Sequence, residues 1–246
     1  MAPAGIGADV EGVHAVAAAA AAGRVRRLLV ERGRQRDEPI ARTLELVRSR
    51  GGEIEVVDDI SDAAHTAVPQ GVVAHCRPIE TVSIERAAEC GAPASLIVLD
   101  HVEDPRNVGA ISRSAVAAGV GAMVVSWDRA APLGASAFKA AAGALETLPV
   151  AVVRSVADAV RRLESLGVWT VGLEGTADRS LLGLDLLAEP VALVVGAEGR
   201  GLSRLVSERV SLRARLPLAG DVESLNVSVA ASLAMFELAR VRGWVA

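Results

Sequence analysis

Five runs in the second half of the chain are apolar with almost no alternation: SLIVL (95–99), AMVVS (122–126), PVAVV (149–153), VWTVGL (168–173) and PVALVVG (190–196). A strand with one wet face alternates between apolar and polar residues. A run without alternation is buried on both faces, the condition of a parallel sheet covered by helices. Helical spacing fills the gaps at 107–118, 135–142, 155–166 and 225–241. In the last of these, Leu225, Val229, Leu233, Phe236 and Arg240 form one stripe. This alternation predicts an α/β fold with a mostly parallel sheet and ligands at the C-terminal ends of its strands.

The first part is built from shorter pieces. Residues 12–22 read as a helix, 25–31 as a strand, and 38–50 as a helix with Ala41, Leu44 and Val47 along one face. A strand at 54–57, a short helix at 58–66 opened by Asp58 or Ser61, and a strand at 71–75 complete a small α/β module. It ends near Arg77-Pro78. Residues 78–94 carry Pro78, Pro93 and one helical stretch at 83–90, as a connector does. The expected organisation is therefore 1–77, a linker at 78–94, and 95–246.

Composition narrows the function. The only aromatic residues are Phe138, Phe236, Trp127, Trp169 and Trp244, so the cores rest on Ala, Val, Leu and Ile. Base stacking of the kind used by single-strand binders is barely available. A net charge of −4 excludes a uniformly basic nucleic-acid binder. The charge is uneven, however. Residues 24–50 hold nine arginines against four acids, a local +5 that leaves −9 elsewhere. That patch is either a phosphate-facing surface or a solvated face of ion pairs, and the sequence leaves both open. Cys76 and Cys90 form no CxxC or Cys/His pattern, so neither a disulfide framework nor a metal site is expected. The longest charge-free runs are 14 residues, short of the roughly 20 that span a bilayer. The Ala-rich run 15–22 follows Asp9 and Glu11 rather than a basic segment, so no signal peptide is expected. The expected location is the cytoplasm.

Three loops follow three of the apolar strands. In the first, Asp100 to Arg113, Asp104-Pro105 suits a helix N-cap with proline at the first helical position. Asn107 then falls in the first turn and Arg113 almost two turns on. The second, Gly196-Ala-Glu-Gly-Arg-Gly201, favours close backbone approach and carries Glu198. Its G-x-x-G-x-G order is neither a dinucleotide-binding fingerprint nor a P-loop. The third, Leu216 to Ser228, places Ser224 and Asn226 at a helix start, where capping alone would explain them. Three such loops on one sheet would converge at one edge.

Together they resemble the three motifs of the SpoU (TrmH-like) branch of the SPOUT RNA methyltransferases. DPRNVGAISRSA (104–115), LVVGAEGRGL (193–202) and LPLAGDVESLNVSVAASLAMFE (216–237) stand in that family's order. GVHAV (12–16) and PQGVVA (69–74) resemble its N-terminal substrate-binding domain, as found in enzymes methylating a guanosine ribose of 23S rRNA. The resemblance implies methyl transfer from S-adenosylmethionine to a ribose 2′-hydroxyl. It implies a C-terminal trefoil knot, which chain-topology rules exclude by default. It also implies a homodimer with the active site at the interface, an RNA partner, and neither membrane nor metal. Catalytic positions carried over by motif are Asn107, Arg113, Glu198, Ser224 and Asn226. Cofactor contacts carried over are Leu173, Gly196, Leu216 and Leu225. His101, after Asp100, is read as a supporting residue rather than a base, and Asp221 and Glu223 make the third loop acidic. The alternatives are the same chemistry on another rRNA nucleotide, as in antibiotic resistance, or on tRNA, and an inactive RNA-binding scaffold.

Overall fold

The computed structural model describes residues 5–127, 130–220 and 222–243. Trp244 and Asp221 lie outside them. In chain order the first elements are β1 (Asp9–Glu11), α1 (Val13–Ala21), β2 (Val25–Glu31), α2 (Glu38–Ser49), β3 (Glu53–Val57), β4 (Val72–Cys76) and α3 (Ile84–Ala87). Then come β5 (Ser95–Leu99), α4 (Pro105–Ala117), β6 (Ala122–Ser126), α5 (Ala135–Ala141), β7 (Val150–Val153), α6 (Val156–Ser165) and β8 (Trp169–Leu173). The chain closes with β9 (Arg179–Ser180), β10 (Val191–Val195), α7 (Arg204–Arg209), β11 (Leu212–Arg215) and α8 (Val227–Val241).

These elements form two compact units. The first comprises residues 1–80 with 108–113 and 132–147; the second comprises 81–107, 114–131 and 148–246. The first unit has a four-stranded sheet in the order β1-β4-β2-β3, antiparallel except for β2 with β3. Glu11 is completely buried and accepts hydrogen bonds from the His65 and Thr66 amides and from Thr66 Oγ1. Arg24 is buried against Glu146 at 2.5 Å and lies 5.6 Å from the Phe138 ring centroid. In the same unit Gly109 lets α4 and α5 meet, because a Cβ there would sit 2.4 Å from the Ala137 carbonyl oxygen.

The +5 segment resolves largely into ion pairs. Arg24, Arg27, Arg32, Arg34 and Arg42 are paired with Glu146, Glu55, Asp58, Asp37 and Glu38. Arg26, Arg36, Arg48 and Arg50 have no ion-pair partner among the described residues, Arg50 donating instead to the Ala21 carbonyl at 2.8 Å. They remain the cations of this stretch with a free charge to offer.

The second unit is one seven-stranded sheet, β7-β6-β5-β10-β8-β11-β9, parallel throughout. Every residue of β5, β6 and β10 is buried, which is what non-alternating runs require. Leu96, Val98, Val124, Val160, Leu163 and Val194 form much of one core layer. The register aligns the strand ends that carry the loops: Leu99 opposes Val195, Val194 opposes Gly172, and Ala214 opposes Leu173. The ends of β5, β10, β8 and β11 therefore share one edge.

Four expectations change. Residues 58–66 hold only a 3-10 turn at Ser61–Ala63. Strands β1, β9 and β11 and helix α7 were not legible, being short or, like Leu-Arg-Ala-Arg in β11, polar at alternate positions. The 83–90 helix shrinks to one turn, α3. The predicted stripe on α8 is its outward face: Val229, Leu233 and Phe236 are exposed, whereas Val227, Ala231, Ala234, Met235 and Leu238 are buried.

Candidate functional site

Each loop is set by its own local chemistry before it meets the others. In α4, the Asp104 carboxylate accepts from the Arg106 amide at 2.8 Å and Pro105 opens the helix. The Arg106 side chain and that amide hold the Asp104 carboxyl below its usual range. This cap delivers Asn107, 8% exposed, to the first turn. In α8, Asn226 Oδ1 accepts from the Ser228 amide at 2.9 Å and Val229 amide at 3.4 Å, so the capping role is real. It leaves the amide nitrogen Nδ2 free to do something else.

The glycine loop after β10 is shaped by close backbone approach. Ala197 pairs with Gly201, whose amide donates back to the Ala197 carbonyl at 2.9 Å. A Cβ on Gly196 would lie 2.1 Å from the Gly201 carbonyl carbon and oxygen, so glycine is required there. On β8, a Cβ on Gly172 would stand 2.7 Å from Leu202 Cδ1, so the Leu202 side chain packs directly over the strand there.

Three carried-over polar residues then meet. Glu198 Oε1 accepts from Asn107 Nδ2 at 2.9 Å and from Asn226 Nδ2 at 2.5 Å, and Asn226 Nδ2 also lies 3.2 Å from Asn107 Oδ1. One carboxylate oxygen thus ties the loops after β5, β10 and β11 into a single cluster. A further bond, Ser232 Oγ to Ser114 Oγ at 2.7 Å, joins α8 to the end of α4. Ser224 is exposed and Leu225 half-buried just before Asn226. Ser224 makes no side-chain hydrogen bond among the described residues, so the structure does not bring it into the cluster. Arg113 is an exposed residue of α4 whose guanidinium pairs with no carboxylate among the described residues.

Leu173, Gly196 and Leu216 sit at the ends of β8, β10 and β11 on the shared edge. Leu173, Leu216 and Leu225 are each half-buried, and Gly196 is a backbone cradle that any side chain would fill. Apolar rims and a glycine cradle suit a cofactor with a sulfonium and an adenine, which need closeness and dryness more than charge. A cavity of about 600 Å³ lined by Trp169, Arg179, Asp185 and Ser211 opens at the opposite edge, where β8 and β11 begin, and none of the three loops lines it. Among the described residues no group of three His, Cys, Asp or Glu side chains is placed to hold a metal ion.

Sequence reasoning missed one member of this edge. Asp100, 1% exposed, accepts from the Ser203 amide at 2.6 Å and so anchors the glycine loop to β5. The available signal was an acid ending a wholly apolar strand.

The model of the SpoU rRNA Methylase family matches residues 94–236, and that of RNA 2′-O ribose methyltransferase substrate binding matches 10–82. The 23S rRNA (guanosine-2′-O-)-methyltransferase RlmB of Pseudomonas aeruginosa is 42% identical over 191 residues, 76% of this chain and 75% of that protein. The RlmB of Escherichia coli (strain K12) is 37% identical over 241 residues, 95% of this chain and 98% of that protein. The SpoU methyltransferase AviRb from Streptomyces viridochromogenes, solved with AdoMet, superposes with a TM-score of 0.79 at 26% identity, covering 95% of this chain and 90% of that one.

Proposed function

The chain belongs to the SpoU rRNA methylase family, as an S-adenosylmethionine-dependent methyltransferase, and we propose that it methylates the ribose 2′-hydroxyl of a guanosine in 23S rRNA. The observation that carries this reading is the joining of Asn107, Glu198 and Asn226 at the edge that holds Gly196. Related proteins across nearly the whole chain length are named for that substrate.

The cofactor supplies an electrophilic methyl group on a sulfonium. The chain supplies the rest. Gly196 with the rims of Leu173, Leu216 and Leu225 would hold the cofactor away from water. Glu198, gripped by both asparagines, fixes the glycine loop against the first turn of α4. Asn226 orients the loop that precedes α8. Arg113, always protonated, binds a substrate phosphate and polarises the 2′-hydroxyl, rather than accepting its proton. Ser224 faces solvent, where a substrate hydroxyl or phosphate reaches it. Holding the hydroxyl in line with the methyl is the largest share of the task.

The reading keeps residues 1–77 as the RNA-binding part, 78–94 as linker and 95–246 as the catalytic part, supported by the two matched regions. Arg26, Arg36 and Arg48 are the cations there that suit phosphate. It includes the trefoil knot, supported by the insertion of β10 between β5 and β8, both earlier in the chain. It includes a homodimer, supported by the exposed apolar stripe Val229, Leu233 and Phe236 on the helix that Asn226 caps. An rRNA substrate places the enzyme in the cytoplasm. Among the described residues no helix is long and apolar enough to cross a membrane.

The test is transfer of labelled methyl from S-adenosylmethionine to 23S rRNA lacking the modification, followed by mass-spectrometric mapping. A single 2′-O-methylguanosine is expected. Modification of another nucleotide, or of tRNA alone, overturns the substrate; cofactor binding without transfer to any RNA overturns the activity.

A further inference from the structure

RNA at the reacting edge needs a face for its bases to rest on, and few side chains offer one. Phe138 is 1% exposed, Trp169 lines the cavity at the opposite edge, and Phe236 belongs to the outward stripe of α8. Trp244 lies outside the described residues. Trp127 remains. We propose that Trp127 and Arg154 together hold a nucleotide of the RNA beside the one that is methylated, the indole stacking on its base and the guanidinium binding its phosphate. The proposal rests on the methyl-transfer reading and deepens it.

Sheet register puts this pair on the reacting edge. β6 runs parallel to β5 with Val125 opposite Leu99, and parallel to β7 with Ser126 opposite Val153. Trp127 and Arg154 are the next residues after β6 and β7, so they are neighbours where those strands end. The Trp127 amide donates to the Val153 carbonyl at 2.7 Å, which ties the two segments together. β6 is one strand from β5, whose loop carries Asn107, and two strands from β10, whose loop carries Glu198. Two strand spacings are about 10 Å. A nucleotide resting there adjoins one held at the cluster.

Both side chains are uncommitted. Trp127 is 61% exposed, and its indole N–H donates to no group among the described residues. Arg154 is exposed and pairs with no carboxylate among the described residues. Asp158, the acid nearest to it in sequence, is occupied by Arg161 and Arg209. Ser155 caps α6 by accepting from the Asp158 amide at 3.2 Å, which fixes the turn that carries Arg154. An exposed indole beside an unpaired guanidinium is what single-stranded RNA requires: a flat apolar face for a base and a cation for its backbone. Every base has such a face, so the contact contributes affinity and position rather than choice of base.

The test is methyl transfer to unmodified 23S rRNA, with RNA binding measured separately over a range of salt. Trp127→Ala should raise KM for the RNA about 5- to 150-fold, with kcat, Tm and calorimetric affinity for S-adenosylmethionine near wild type. Trp127→Phe should keep most of the affinity. Arg154→Ala should also raise KM, and should reduce the slope of log affinity against log salt by about 0.7. Trp127→Ala should leave that slope unchanged. With Trp127 as the only tryptophan, in Trp169→Phe/Trp244→Phe, its fluorescence should be quenched when the RNA is added. KM within two-fold of wild type in both alanine variants, an unchanged salt slope in Arg154→Ala, or fluorescence unmoved by RNA overturns the pairing of Trp127 and Arg154 on a nucleotide while the function stands. Absence of transfer by the wild type overturns the function and this inference with it.

Discussion

Asn226 does two jobs with two atoms, and Asn226→Asp separates them. Its Oδ1 caps α8, and an aspartate caps equally well while adding favourable charge at a helix N-terminus. Its Nδ2 donates to Glu198 Oε1 at 2.5 Å, and an aspartate puts a second carboxylate oxygen there. Two unit charges at that separation repel by about 1.7 kcal/mol in water. The high-dielectric figure applies because both side chains are exposed. Loss of an exposed charge-assisted hydrogen bond adds about 1 kcal/mol. The sum, about 2–3 kcal/mol, corresponds to about a 30- to 150-fold loss in kcat/KM. The assay is methyl transfer to 23S rRNA with thermal unfolding in parallel, where the same cost should lower Tm by about 4–8 °C. The double variant Glu198→Gln/Asn226→Asp exchanges the amide and the carboxylate and should recover most of the loss. Wild-type transfer by Asn226→Asp, or no recovery in the double variant, would refute a role for the Glu198–Asn226 contact.

Four further outcomes follow from the same structure. Arg242 donates to four backbone carbonyls, those of Leu187, Pro93, Ala94 and Glu189. Arg242→Ala should cost about 2–3 kcal/mol in urea unfolding, and Arg242→Lys should rescue little, because a point donor does not span four acceptors. Gly109→Ala drives a methyl to 2.4 Å from the Ala137 carbonyl and should lose about 1–3 kcal/mol of stability by calorimetry. Glu237 is 7% exposed, and its carboxyl is held below the usual range chiefly by Arg240, with the Gly183 amide adding to it. A depressed folded value means stability that is present above the ordinary carboxyl range and lost as pH falls through the folded one; Tm of Glu237→Gln should therefore decline less steeply than wild type below about pH 4.3. Leu233→Glu, on the exposed stripe of α8, should shift sedimentation from dimer to monomer while Leu233→Met does not.

Legibility in the sequence followed burial. Strands 95–99 and 122–126 are found at their observed limits because a strand buried on both faces leaves no polar position to blur its ends. β11 escaped because its Arg213 and Arg215 face outward, and a four-residue alternation is indistinguishable from a charged loop. The α8 stripe was legible as a stripe but not as a surface. Period shows that apolar residues share a face and says nothing of whether core or another protein covers it. The arginine patch stayed open in the sequence for a related reason. Arg27 with Glu55 and Arg32 with Asp58 join residues far apart in sequence, so a local charge count cannot see the neutralisation. At the site, motif spacing named Asn107, Glu198 and Asn226, but their convergence on one carboxylate oxygen is a property of the sheet register.

That register also confines these residues. β10 enters the sheet between two strands already laid down, so the glycine loop leaves the edge flanked by the ends of β5 and β8. Gly196 has no room for a Cβ against the Gly201 backbone, and Asp100 holds the Ser203 amide. A loop so confined positions Glu198 with little freedom, and Glu198 in turn fixes the start of α8 through Asn226. The exposed Val229–Leu233–Phe236 face begins three residues after that contact. The proposed dimerisation on this face and ordering of the cluster would therefore act on the same helix terminus. A Leu233→Glu monomer should bind S-adenosylmethionine more weakly and also lose catalytic rate. If the separated monomer keeps wild-type cofactor affinity and kcat, measured by calorimetry and methyl transfer, the face and the site are independent and the coupling through Asn226 is wrong.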